Sequence, residues 1–190
     1  MARWLSFLRF PTVAAAALLG AVAGCSHPPP EPELPGAVPV DVASADAFAH
    51  ALLRATNRVR VEHGVPPLRP WPRLNLAADE HAAFMALRLQ IGHTSDLPGQ
   101  RTPGERVRRM GLEVVAAAEN VAYFSVEEGD TAESIAARFV DGWLHSPGHR
   151  ANLLNPSVSR FGSAVRLAKG VGRSRYAFGV QLFAEPKGGR

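Results

Sequence analysis

Cysteine occurs once in this 190-residue chain, at Cys25, directly after an apolar run and directly before a stretch crowded with proline. That single position removes whole classes of fold and chemistry. No intrachain disulfide can form, and no second thiol exists to build a thiolate metal cluster. Whatever folds beyond Cys25 must therefore be held by a hydrophobic core, without covalent or thiolate staples.

The residues before Cys25 read as a secretory signal over 1–24. Arg3 and Arg9 supply the basic flank, "FPTVAAAALLGAVAG" the apolar run, and small residues precede the cleavage point. The run is too short and too alanine-rich for a membrane span. Its ending, "VAGC", resembles the lipobox of bacterial lipoproteins, in which the cysteine is lipidated and becomes the first residue of the mature protein. The resemblance makes Cys25 the expected lipidation site and the lipid anchor the expected membrane contact. It implies a secreted protein anchored to the cell envelope. Ser26 stands where an aspartate would favour inner-membrane retention, which points to the outer membrane in a Gram-negative cell.

Residues 27–43, "HPPPEPELPGAVPVDVA", are expected to form a linker. Proline fixes φ and removes backbone donors, so a helix or central strand is disfavoured there. As a polyproline-like spacer it would reach roughly 50 Å at about 3 Å per residue. The remainder, 44–190, has the length of one domain. Lys and Arg number 21 against 17 Asp and Glu, and removing Arg3 and Arg9 leaves the balance nearly neutral. Nucleic-acid binding needs a clustered basic face and is not expected. The densest basic cluster, "RVRRMG" at 106–111, reads as a solvated helix face.

Four helices are expected within the domain. The first starts at a Ser44 or Asp46 cap and carries Phe48, Leu52, Ala55 and Val59 at three- and four-residue spacing as far as Gly64. The second runs from about Asn75 to Arg88, with Leu76, Ala83, Phe84 and Leu87 toward the core. A short third follows Thr102 and Pro103, with Glu105 completing a capping box and Gly111 ending it. The fourth follows Asp130 or Thr131 and places Ile135, Phe139, Val140 and Trp143 on one face. Strands are expected at "ENVAYF", at "RFGSAVRL" with Phe161, Val165 and Leu167 on one face, and at "YAFGVQLFA" with Tyr176, Phe178, Val180 and Leu182 alternating. The Gly-rich "AKGVGRS" joins the last two as a hairpin. Helices followed by antiparallel strands define an α+β domain, a sheet covered by helices.

Three residues beside turn chemistry are candidate functional groups: His93 in "GHTSD", Glu119 in "AENVA" and His149 in "SPGHR". Two imidazoles and a carboxylate are ligand types that suit zinc with an open position. Their wide separation matches no short-range metal motif, and on spacing alone each histidine reads more readily as an ordinary surface or core side chain. Neither an HExxH helix nor a GxSxG elbow is present. His81 reads as a core-edge histidine, His145 as a substitute ligand, and Trp143 as core. Asn120 and Asn152 could serve either backbone groups around a cleft or a bound substrate.

The strings "GHTSD", "AENVAYF", "FVDGWLHSPGHRANLLNP" and "RFGSAV" occur in the order and spacing of bacterial CAP-superfamily domains. These are relatives of cysteine-rich secretory proteins, antigen 5 and plant pathogenesis-related proteins. The resemblance runs from about Ala47 to Ala184. It implies a three-layer α-β-α sandwich of the CAP/SCP type, with His93, Glu119 and His149 converging in a central cleft that could hold Zn2+. Eukaryotic relatives place a glutamate three positions after the helix tryptophan. Here that position is Ser146, so the resemblance leaves the tetrad incomplete.

Ser146 followed by Pro147 reads as a helix N-cap with proline at the first helical position, not as a nucleophile. His149 would then sit in the first turn, where the helix dipole disfavours protonation and leaves the neutral, metal-binding form. The expected function is a non-enzymatic ligand-binding module. Its ligand would be a lipid, a sterol or cell-wall material, in keeping with the lipid and sterol binding associated with the family. A metal-dependent or Ser/His/Glu hydrolase of peptide or cell-wall substrates is one alternative, with Glu119 as base beside a metal-bound water. A structural protein-interaction role is the other.

Overall fold

The computed structural model describes residues 42–170 and 174–188, with side chains from residue 45. The signal region, Cys25, most of the proline-rich linker and the centre of the "AKGVGRS" loop lie outside the described residues. In chain order the elements are α1 (Val42–Glu62), β1 (Arg69–Pro70), α2 (Pro72–Arg88), α3 (Pro103–Arg109), β2 (Val114–Val126), α4 (Ala132–Leu144), α5 (Pro147–Leu153), β3 (Arg160–Lys169) and β4 (Arg175–Pro186).

The strands form one sheet in the order β1-β3-β4-β2. β4 lies in the middle, antiparallel to β3 and to β2, so its side chains are buried on both faces. Phe161, Val165, Ala177 and Phe183 face a core filled by Phe48 and Leu52 of α1, Ile135, Phe139 and Trp143 of α4, and Leu153 of α5. Ala164, Ala168, Phe178, Val180 and Leu182 face the opposite core, filled by α2 and by Val107 of α3. The architecture is the three-layer α-β-α sandwich. The strand faces expected from alternation are the observed ones.

Two glycines permit close layering. A Cβ at Gly162 would overlap Leu74 and its backbone, and one at Gly179 would overlap the Phe139 ring. α2 and α4 thus press directly onto the sheet at positions where only glycine fits.

Several expectations need correction. α1 begins at Val42, so neither Ser44 nor Asp46 caps it, and the helix takes the last two residues assigned to the linker. α2 begins at Pro72 and buries Leu74, Ala77, Ala78, His81, Ala82, Met85 and Ala86. Leu76 is 58% exposed and Leu87 37% exposed, so these larger apolar residues face away from the core that their spacing predicts for them. The short β1, Arg69–Pro70, pairs in parallel with β3 inside what reads as a proline-broken connection.

Local capping follows the sequence more closely. Thr102 Oγ1 accepts the Glu105 backbone N–H at 3.2 Å, while Glu105 Oε2 accepts the N–H of Arg101, one residue earlier than a capping box requires. Thr131 and Ser134 form a complete reciprocal box at α4. Gly111 closes α3 at φ +68°. Leu89 takes the left-handed C-cap of α2 at φ 49°, a conformation favoured for glycine.

Candidate functional site: an imidazole pair across an edge strand

The site forms where β2, the edge strand, passes between the two helical layers. Adjacent residues of a strand point to opposite faces. Glu119 therefore turns toward the α2–α3 layer, and Asn120 toward the α1–α5 layer. Each anchors a different histidine.

On the α2–α3 side, Glu119 is buried, its side chain 1% exposed. The Arg106 guanidinium, fully buried, donates from Nη2 to Glu119 Oε2 at 2.5 Å. The same guanidinium donates to the carbonyl of His93 at 3.2 Å and, through Nη1, to that of Gln100 at 2.9 Å. His93 Nδ1 donates to Glu119 Oε1 at 3.0 Å, which fixes the proton on Nδ1. His81, on the buried face of α2, donates from Nε2 to the Gly92 carbonyl at 2.7 Å and lies 3.9 Å from Glu119 Oε1. Burial is the main cause that holds His81 below the usual histidine range, against the opposing pull of Glu119. One ion pair and one neutral imidazole thus hold the loop that presents His93.

On the α1–α5 side the partners are amides. Asn120 Nδ2 donates to the His149 carbonyl at 3.0 Å and to Gln181 Oε1 at 3.3 Å, and Gln181 Nε2 donates to Thr56 Oγ1 at 2.7 Å. Asn152 Nδ2 donates to Asn120 Oδ1 at 3.0 Å and to the Glu119 carbonyl at 3.2 Å. A polar chain therefore runs from α1 through β4 and β2 to α5, and it secures the backbone of His149. Both asparagines serve backbone groups, the first of the two roles that their sequence leaves open. Beyond α5, buried Arg60 grips the carbonyls of Leu153 and Asn155 at 2.8 and 3.0 Å.

The two rings meet across the strand with centroids 6.4 Å apart. His149 is held below the usual histidine range by burial first and by nearby His93 second. Its Nδ1 is buried and has no hydrogen-bond partner among the described residues. His93 is half exposed, and its Nε2 has no partner among the described residues.

His93, Glu119 and His149 are thus brought to one place. Ser146 occupies the N-cap position of α5 with Pro147 behind it, but its hydroxyl makes no capping bond. His145 caps the C-terminus of α4, exposed, with Nδ1 bonded to the Asp141 carbonyl at 2.8 Å. Trp143 is core, 1% exposed. The residue that sequence reasoning missed is Arg106, taken with its neighbours for a solvated helix face. Its signal was indirect: a glutamate buried in an apolar strand context requires a cation.

The donor set does not suit a metal that uses Glu119. Both carboxylate oxygens are already engaged by Arg106 and His93, and among the described residues no three His, Cys, Asp or Glu side chains are grouped to hold a metal ion.

A four-stranded sheet between two helical layers, with an imidazole pair at its edge strand, defines an α+β sandwich domain of the CAP/SCP class. Residues 53–183 match the model of the cysteine-rich secretory protein family, CAP. The chain belongs to that family. It is 28% identical over 119 residues to YkwD of Bacillus subtilis, covering 63% of this chain and 42% of that protein. Among solved structures it resembles an extracellular protein containing an SCP domain from Bacillus anthracis. That match has TM-score 0.58 and 26% identity, and covers 78% of this chain and 45% of the other. An outer surface protein of Borrelia burgdorferi shares the fold at TM-score 0.61 and 22% identity, covering 80% of this chain and 99% of that one. The chain thus spans less than half the length of YkwD and of the Bacillus anthracis protein. Among the described residues no helix is long and apolar enough to cross a membrane.

Proposed function

We propose that this chain is an extracellular ligand-binding module, tethered to the cell envelope through lipidated Cys25, whose cleft takes an amphiphilic ligand between His93 and His149. The observation that carries this reading is the pair of unpartnered ring nitrogens, His149 Nδ1 buried and His93 Nε2 open. Buried polar atoms are normally satisfied, so one left free beside a half-exposed second imidazole favours a ligand that completes it. Among the described residues neither ring is bonded to a serine, threonine or cysteine side chain, so no nucleophile is positioned for the hydrolase alternative. Zn2+ is not part of this reading, because Glu119 is already committed.

The ligand class follows from what surrounds His93. The same segment exposes Leu89, Ile91 and Leu97, at 46%, 42% and 37%. Exposed apolar side chains on the segment that carries His93 suit a lipid or sterol, with its polar group at the rings and its hydrocarbon on the loop.

Co-sedimentation of the full chain with phospholipid and phospholipid–sterol vesicles, beside a His93→Ala/His149→Ala variant, tests the cleft. Binding by the parent chain that falls at least about tenfold in the variant is expected. Equal binding by both would remove the cleft from the account. Hydrolysis of a peptide, ester or peptidoglycan that depends on His149 would replace binding with catalysis. Incorporation of labelled palmitate, abolished in Cys25→Ser, tests the anchor separately.

A further inference from the structure

We infer that this chain holds His93, Glu119 and His149 together without a divalent metal: the buried Arg106 guanidinium is the resident cation, supplying the counter-charge of Glu119 at the carboxylate oxygen that His93 leaves free. Three observations converge on this. Among the described residues Glu119 is the only carboxylate in contact with His93, and its Oε2 is taken by Arg106 at 2.5 Å. A metal using that carboxylate would have to displace a guanidinium that is 0% exposed and leave it buried without a counter-charge. The unit charges of Glu119 and Arg106 cancel, so a dication at the imidazole pair would meet two neutral rings and no net negative charge to offset its dehydration.

Arg106 also does the positional work expected of a bound ion. Its donors hold the carbonyls of His93 and Gln100, the two ends of the segment that presents the imidazole. With Nδ1 of His93 fixed on Glu119, Nε2 points away from the carboxylate. In metalloproteins a carboxylate in that place orients an imidazole from behind the ligand shell. Here it leaves at most the two histidines as ligands, fewer protein donors than the three of an ordinary catalytic zinc site. The inference concerns metal alone. An organic ligand at the same imidazoles would leave it intact, so its failure and that of the proposed binding function are separable.

Calorimetric titration of the full chain with ZnCl2 alone tests it, beside His93→Ala/His149→Ala, Arg106→Met and Arg106→Met/Glu119→Gln. The parent chain should show no one-to-one site tighter than about 100 μM that the double-histidine variant lacks. Arg106→Met should gain a site at least about tenfold tighter than the parent's, lost again when Glu119→Gln is added. A micromolar site in the parent chain that vanishes in the double-histidine variant would overturn the inference. So would a folded Arg106→Met protein that gains nothing. Where Arg106→Met does not fold, melting of the parent chain decides: Tm should be unmoved by EDTA and by Zn2+. A rise with Zn2+ that is lost in the double-histidine variant would contradict the inference.

Discussion

The two sides of strand β2 each fix an imidazole, one with charges and one with amides. On the α2–α3 side a buried ion pair, Arg106–Glu119, fixes both the ring of His93 and the loop that bears it. On the α1–α5 side Asn120, Asn152, Gln181 and Thr56 form a neutral chain that fixes the backbone of His149 and leaves its ring nitrogen free. The difference follows from what is being held. The segment around residues 92–100 has no regular structure of its own, so its carbonyls need donors from outside, and a guanidinium supplies several from one centre. His149 already sits on a helix, so its backbone needs only one further anchor. A charged clamp is the more costly to break, because removing one partner leaves the other buried and unpaired.

The comparison can be broken most severely on the charged side. Arg106→Met should cost about 3–5 kcal/mol in urea unfolding, the range for an orphaned buried charge. Asn152→Ala on the amide side should cost about 1–3 kcal/mol, the penalty of leaving buried polar groups unsatisfied. Equal losses would show that the two sides are not held differently.

A graded effect is expected from pH. The folded-state pKa values of His81 and His149 are both depressed, chiefly by burial. Below the usual histidine pKa of about 6.5 the unfolded chain takes up protons that the folded chain refuses, so stability should fall as pH is lowered through that point. Unfolding free energies at pH 7.5 and 5.5 check this, and His81→Gln should flatten the slope by removing the charged side's share. The smallest contrast lies in the caps. Thr131→Ala should cost about 1 kcal/mol because its reciprocal box is formed. Ser146→Ala should stay within about 0.5 kcal/mol, since its hydroxyl makes no capping bond.

Legibility from sequence tracked how locally each feature is encoded. The hairpin β3–β4 and its two faces were readable because alternation is a local pattern, and α4 because its cap and its apolar stripe agree. The buried face of α2 was not. The face of α2 that meets the sheet carries Ala77, Ala78, Ala82 and Ala86 beside Leu74, so the larger side chains that look like core, Leu76 and Leu87, are left outside. β1 escaped because two residues among prolines carry no period at all. That His93, Glu119 and His149 converge came from family resemblance, since their spacing alone gives no reason to join them. Arg106 was hidden by composition: in "RVRRMG" one arginine is fully buried, and nothing within the string distinguishes it from its neighbours.

The most direct test of the clamp is a double-mutant cycle on urea unfolding with Arg106→Met, Glu119→Leu and the pair together. The structure predicts strong coupling: the double variant should be more stable than Arg106→Met alone, because an apolar pair leaves no orphaned charge. Losses that simply add would mean that Arg106 and Glu119 do not hold each other, and the account of the His93 side would be wrong.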